Sequence, residues 1–200
     1  MSSELESVNL PAELLDEARD AARSGAVGSV ADYVAEAVRL RLAKDHALAQ
    51  VTRLFGGPPP DDILALVRQR GGPSTPPRHF VIGGRILDVT AIVGFSTGQS
   101  VYAEALVMTA IEENIVLTVP STALVRACAL IPRGHELGMD VLLGLPCTVV
   151  DPVDTTQARA VGALLQQGVH CAQRRGWPVV TGDPEPLLTL DNSIEIEISP

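Results

Sequence analysis

The sequence predicts an α/β protein in which a parallel sheet is flanked by helices and preceded by a small helical module. From about residue 81, short apolar segments alternate with helical patterns, as is typical of parallel strands joined by crossover helices. Gly and Pro interrupt residues 55–80, where neither a helix nor a sheet interior tolerates them. Before that, one alternating segment precedes two amphipathic patterns. We therefore predict a module over 1–54, a Pro/Gly-rich tether over 55–80 and an α/β domain over 81–200.

The N-terminal module has the pattern of a strand followed by two helices. The segment "LESVNLP" alternates as a strand does, and Pro11 suits the first turn of a helix that ends near Gly25. Ser29 is placed to cap a longer second helix. The apolar positions of that helix are Val30, Tyr33, Val34, Ala37, Val38 and Leu42. Because one strand and two helices bury little surface alone, we expect a twofold mate that supplies the second strand.

The tether contains one helical segment between two stretches that break regular structure. "FGGPPPDD" and "RGGPSTPPRH" are the breaks, and "DDILALVRQR" lies between them. Its two leading aspartates and two trailing arginines complement the helix macrodipole. We predict a short amphipathic helix over residues 61–70.

The predicted α/β domain alternates strands with helices as far as its last segment. The predicted strands are "RILDVTAIVGF", broken by Asp88, then "IVLTVP", "CTVVDPV", "WPVVTG" and the edge-like "SIEIEIS". The predicted helices are "TGQSVYAEALVMTAIEEN", "STALVRACALI", "GHELGMDVLLG" and most of "TTQARAVGALLQQGVHCAQRRG".

Composition limits the classes of function and the cellular compartment. The formal net charge is −9, with 9 basic and 11 acidic residues up to Phe80 and 6 and 13 after it, so neither part has a strongly basic balance. Three widely spaced cysteines argue against a disulfide framework or a zinc site. No apolar run approaches the ~20 residues of a membrane span, and the N-terminus lacks a signal-peptide pattern. We expect a cytoplasmic protein without a membrane partner.

Three aspartates follow predicted strands and are candidates for one acidic site. Asp88 interrupts the first strand, Asp151 follows "CTVV" and Asp183 follows "PVVTG". In parallel sheets, functional groups lie beyond the carboxyl ends of the strands. Clustered carboxylates are tolerated where a divalent cation neutralises them, and magnesium held in this way can activate water against a phosphodiester.

Residues 5–54 resemble the ribbon-helix-helix family, in particular the antitoxins that pair with PIN-domain toxins. The stretch "VNLPAELLDEARDAA…GSVADYVAEAVRLRLAKD" carries the resemblance. It implies a homodimer formed through the N-terminal strand, with outward side chains that read base edges in the major groove of promoter DNA. The readers would be Leu5, Ser7 and Asn9, of which Asn can bond adenine bidentately. Glu4 and Glu6 flank them and repel phosphate, which leaves open a dimerisation module without DNA binding.

Residues 82–200 resemble the PIN domain, a small α/β ribonuclease fold found in many bacterial toxins. "ILDVTAIVGF", "IVLTVPSTAL" and "RRGWPVVTGDP" carry the resemblance, and Asp88, Thr90 and Asp183 match its more specific marks. The family's metal site uses three or four carboxylates. Here the helix of the second acid, "STALVRACAL", contains none and places Arg126 near that position.

The third acid of the family is also missing from its expected position. Gly168, Val169 and His170 stand there, and the remaining nearby acids, at other positions, are Asp151, Asp154, Glu104 and Glu185. We interpret the site as degenerate, with Asp88 and Asp183 as weak metal ligands and an ion pair from Arg126 in place of the metal. The tether helix is expected to pack on this domain and to direct Arg68 or Arg70 towards the two aspartates.

Three functions follow from these observations. The first is a dimeric DNA-binding transcriptional regulator of toxin–antitoxin descent, carrying a catalytically degenerate PIN-like domain and needing no cofactor. The second is a metal-dependent endoribonuclease using Mg²⁺ or Mn²⁺ on RNA, inhibited by its own N-terminal part. The third is an assembly module that binds no nucleic acid.

Overall fold

The computed structural model describes residues 9–23, 28–71, 83–155, 157–158 and 167–199, and they divide into two compact units. Unit 1 is Met1–Asp45 and unit 2 is His46–Pro200. Most of the predicted N-terminal strand, including Leu5 and Ser7, lies outside the described residues.

Unit 1 contains two helices whose starts match the sequence prediction. Helix α1 spans Ala12–Arg23 after Pro11, whose carbonyl accepts from Leu15 N at 3.0 Å. Helix α2 spans Val30–Phe55 and begins in unit 1. The hydroxyl of Ser29 accepts from Asp32 N at 3.1 Å, which confirms the predicted cap.

Unit 2 is an α/β structure built on one five-stranded parallel sheet, as predicted. The strands are β1 (Gly84–Leu87), β2 (Val116–Pro120), β3 (Thr148–Asp151), β4 (Val179–Thr181) and β5 (Ile196–Ile198). Their order is β3-β2-β1-β4-β5, and each neighbouring pair is parallel. The carboxyl ends of all five strands therefore lie along one edge of the sheet.

Seven further helices are described in unit 2. They are α3 (Asp61–Gly71), α4 (Val89–Thr97), α5 (Val101–Glu113), α6 (Ser121–Leu130), α7 (Glu136–Gly144), α8 (Gln167–Arg175) and α9 (Glu185–Leu190). The predicted tether helix corresponds to α3, whereas α9 was not predicted.

The prediction that "RILDVTAIVGF" forms one strand was wrong in its second half. The strand ends at Leu87, Asp88 occupies the N-cap position and α4 follows at once. An apolar run of this length does not distinguish a buried strand from a buried helix. Because α4 packs beneath other helices on nearly all sides, it lacks the polar face that would have revealed its helical period.

Alternating strand residues form a separate core on each face of the sheet. Leu87, Leu117 and Val180 belong to the larger core, which also contains α4, α5 and the last part of α2 from Ala47 onward. Ile86 and Val179 face α8 and α9 in the smaller one. The predicted packing of α3 on this unit is confirmed, since Val67 is only 1% exposed within the larger core.

Among the described residues, no helix has both the length and the apolar character needed to cross a membrane.

Candidate functional site

The carboxyl ends of β1 and β4 bring Asp88 and Thr181 together, whereas the sequence prediction for these strand ends named Asp88 and Asp183. The strands are adjacent, and Asp88 N donates to Val180 O at 3.0 Å, which extends their pairing by one residue. The Asp88 side chain is buried, with the residue 8% exposed. Thr181 Oγ1 donates to Asp88 Oδ2 at 3.1 Å.

Hydroxyl groups hold this strand end in a fixed arrangement. Thr181 Oγ1 also accepts from Asp183 N at 3.1 Å and lies 3.1 Å from Thr90 Oγ1. Thr90 Oγ1 accepts from Gly182 N at 2.7 Å. We call Asp88, Thr90, Thr181 and Asp183 the Asp88 cluster. It fastens the start of α4 to the turn after β4 through side chains that the motifs "DVT" and "TGDP" supply.

The orientation of Asp88 distinguishes it from an ordinary helix cap. It occupies the N-cap position of α4, yet its carboxylate makes no cap hydrogen bond with that helix and points instead to Thr181. Asp183 is exposed, and its backbone amide rather than its carboxylate bonds within the cluster. The two predicted ligands thus lie on neighbouring strand ends in different environments.

The carboxylates of the Asp88 cluster are those of Asp88 and Asp183. Magnesium requires near-octahedral oxygen coordination and is held by concentrated negative charge. Among residues 9–23, 28–71, 83–155, 157–158 and 167–199, no group of three His, Cys, Asp or Glu side chains could hold a metal ion. In place of a third carboxylate, the Asp88 cluster contains two threonine hydroxyls.

A second polar cluster lies at the carboxyl end of β3. Asp151 Oδ2 accepts from Cys171 Sγ at 3.0 Å and from Arg174 at 2.5 Å, with Arg175 at 3.9 Å. Burial acts to raise the pKa of Asp151, but hydrogen bonds from Cys171 and Arg174 and the two positive charges outweigh it, so the pKa is lowered. Burial and the neighbouring carboxylate raise the pKa of Cys171 to about 12. Asp151 is therefore an ion-pair partner away from the Asp88 cluster, and Cys171 remains a protonated thiol.

Gln167 connects this second cluster to the start of α6. Its Nε2 donates to Asp151 O at 2.8 Å, and its Oε1 accepts from Thr122 N at 2.9 Å. Gln167 is 1% exposed and immediately precedes Gly168, Val169 and His170, the residues at the predicted third-acid position. A neutral amide with fixed partners thus begins α8.

The other acids from the sequence analysis are dispersed. Glu104 is buried on α5, and burial raises its pKa. Asp154 Oδ1 accepts from Gln157 N at 2.6 Å, as a cap does, and Glu185 is exposed in the first turn of α9. The predicted ion pair of Arg126 was wrong, because Arg126 is exposed and pairs with no carboxylate in the described part of the chain. Its position on α6 turns it away from the core, which Ala123 and Ala127 face.

The prediction that Arg68 or Arg70 is directed at the Asp88 cluster was also wrong. Arg68 donates to Glu112 at 2.7 Å, and Arg70 donates to Ile198 O at 3.1 Å and lies over the Tyr102 ring. The apolar side of α3 packs against α5, so its arginines reach α5 and β5.

A buried polar network between β1, β5 and α5 was not predicted from the sequence. Arg85 forms an ion pair with Glu197, and Tyr102 donates from its hydroxyl to Glu197 Oε1 at 2.8 Å. Burial and the Glu197 charge raise the pKa of Tyr102. The signal was one charged residue inside each of two strands, "GRIL" and "IEI".

In unit 1, the described residue among the three predicted DNA readers is Asn9, which is exposed. A groove of about 350 Å³ lies between α1 and α2, lined mainly by apolar side chains including Leu10, Leu14, Tyr33 and Val38.

The chain matches no known protein family, no curated protein and no solved structure. The resemblances of residues 5–54 and 82–200 to the ribbon-helix-helix and PIN families therefore stay predictions.

Proposed function

We propose that this chain is a homodimeric, DNA-binding transcriptional regulator whose α/β unit is a PIN-like domain without nuclease activity. The observation that carries the proposal is the apolar face of unit 1. In the described part of that unit, Ala18 is the one buried apolar residue. Leu14 is 53% exposed and Val38 51%, and both line the groove between α1 and α2.

Two helices that expose this many large apolar residues require a covering surface. Contiguous exposed apolar patches on soluble proteins mark interaction sites, and a unit of this size buries too little surface alone. A second copy of the chain would cover the apolar face of unit 1 and would also supply a partner strand for the alternating segment before Pro11. A dimer of two such units places that segment as a two-stranded ribbon, from which Leu5, Ser7 and Asn9 would face the major groove.

The α/β unit supports a non-catalytic role through the composition of its Asp88 cluster. A metal that activates water must be held by several oxygen ligands, and the described residues offer no third carboxylate beside Asp88 and Asp183. A five-stranded parallel sheet flanked by helices is consistent with a PIN-like fold.

The dimer can be tested on the full chain with Leu14→Glu in unit 1. Placing a charge on the apolar face should convert a dimer to a monomer in sedimentation velocity and abolish DNA binding. Leu130→Glu is the matched control, because Leu130 is also more than half exposed but lies on α6 of unit 2. A wild-type chain that sediments as a folded monomer at micromolar concentration contradicts the proposal.

A metal-dependent endoribonuclease is the second candidate, because the Asp88 carboxylate points to Thr181 at the carboxyl end of β4 instead of capping α4. The main proposal predicts that purified protein leaves structured RNA intact in Mg²⁺ or Mn²⁺. Cleavage that disappears in Asp88→Asn would instead establish the ribonuclease. A dimer that binds no DNA and cuts no RNA would leave the assembly function.

A further inference from the structure

Strand β5 forms the edge of the described sheet, and alternate backbone groups along it point away from β4. Val179 N donates to Glu195 O and Ser199 N donates to Thr181 O, both at 2.9 Å. Residues 195 and 199 therefore pair with β4. The intervening Ile196 and Ile198 direct their N–H and C=O groups outward, since these alternate along a strand. Outward backbone groups on an edge are a template for pairing with another strand.

Arg70 of α3 is hydrogen-bonded to one of these outward groups, the carbonyl of Ile198. Its guanidinium donates to Ile198 O at 3.1 Å and lies 5.5 Å from the centre of the Tyr102 ring. Tyr102 in turn bonds Glu197 of β5, which is paired with Arg85 of β1. The contact at the edge is thus part of a network that reaches the centre of the sheet.

The remaining contacts of α3 hold Arg70 in this position. Val67 is buried against α5, and Arg68 pairs with Glu112 at 2.7 Å. A groove of about 330 Å³ runs beside the edge, lined by Arg70 and residues 195–198. Among the described residues, the Arg70 side chain is therefore the group that covers the Ile198 carbonyl at this edge.

We propose that the Arg70 side chain prevents β5 from pairing with the β5 strand of a second copy of this chain. A second copy is the expected occupant because its edge carries the same outward N–H and C=O alternation and is always present in solution. A twofold axis beside Ile198 would pair the two edges directly. In the wild type, the Arg70 hydrogen bond takes the Ile198 carbonyl that this pairing requires.

The test compares Arg70→Ala with Arg68→Ala in the full chain by sedimentation velocity at increasing protein concentration. The buffer contains about 0.15 M salt, which screens repulsion between the acidic chains beyond about 8 Å. Arg68→Ala is matched, since it removes the other arginine of α3 but leaves the edge contact. Relative to wild type, Arg70→Ala should form species of about twice the mass as concentration rises. Arg68→Ala should match the wild type.

Two further variants separate edge pairing from general destabilisation. Arg70→Lys retains a charged donor and should sediment as wild type. Adding Ile198→Pro to Arg70→Ala removes an outward N–H from the edge and should abolish the larger species, because proline blocks pairing at edge strands. The proposal is overturned if Arg70→Ala keeps the wild-type mass throughout, if Arg68→Ala associates equally, or if the larger species persist with Ile198→Pro. Should Arg70→Ala not fold, association of Arg70→Lys beyond the wild type would also overturn it.

Discussion

The buried ion pair between Arg85 and Glu197 gives the sharpest stability prediction. Both residues are 6% exposed, and they join the central strand β1 to the edge strand β5 across β4. Glu197→Gln keeps the size of the side chain and an acceptor for the Tyr102 hydroxyl but removes the negative charge. Arg85 would then be a buried cation with the Gly84 carbonyl as its remaining acceptor in the described structure.

The expected loss of unfolding free energy is about 3–5 kcal/mol, the usual cost of removing one partner of a buried pair. That cost arises from the uncompensated charge and not from the lost attraction alone. Replacing both residues with apolar ones, Arg85→Met and Glu197→Leu, should therefore restore most of the stability. The exposed pair of Arg68 and Glu112 provides the contrast, since Glu112→Gln should cost far less than Glu197→Gln.

Urea unfolding followed by tryptophan fluorescence measures the loss of unfolding free energy in unit 2, where both residues lie. Trp177 is the single tryptophan of the chain, and it packs against Gly84, next to Arg85. With Arg85→Met and Glu197→Leu made as single variants, the double variant also closes a mutant cycle, which isolates the coupling between the two charges. A Glu197→Gln protein that loses no more stability than Glu112→Gln would refute the reasoning, as would a double variant less stable than both single ones.

Three further outcomes are expected. Because the folded pKa of Asp151 is lowered, the stabilising contribution of this carboxylate is present above about pH 3.8 and is lost as the pH falls through the folded pKa. Asp151→Asn should therefore flatten the acid side of a plot of unfolding free energy against pH. Iodoacetamide at about pH 8 should modify exposed Cys128 well before Cys171, whose pKa is raised to about 12, and equal labelling by mass spectrometry would contradict this. Gly138→Ala places a methyl group 2.3 Å from a backbone oxygen of α4 and should cost about 1–3 kcal/mol in urea unfolding, whereas Gly144→Ala, in open space, should cost much less.

The order of strands and helices in unit 2 was largely predictable because its signals are local. Apolar segments and Gly/Pro breaks each act over a few residues. The helix after Asp88 was misassigned because α4 is apolar on almost every side and has no amphipathic period. The short α9 gave no periodic signal at all within its six residues.

The partners of charged residues were not predictable because they depend on distant parts of the chain. Arg70 and Ile198 are 128 positions apart, and Arg85 and Glu197 are 112 apart. The sequence placed Asp88 and Asp183 at the ends of separate strands, but it did not indicate that Thr181 would bond the Asp88 carboxylate. It also assigned Arg68 and Arg70 to those acids, whereas the packing of α3 on α5 directs them elsewhere.

DNA binding by the proposed dimer of this chain tests the central claim most directly. The protein should select a short palindrome from fragments of its own promoter, with an affinity that falls steeply as salt rises. Asn9→Ala should weaken binding to that site by about 1–3 kcal/mol, the scale of one bidentate base contact, while Asn192→Ala, in an exposed turn of unit 2, should bind as wild type. Absence of binding to every promoter fragment at low salt, or equal binding by Asn9→Ala and wild type, would contradict the account.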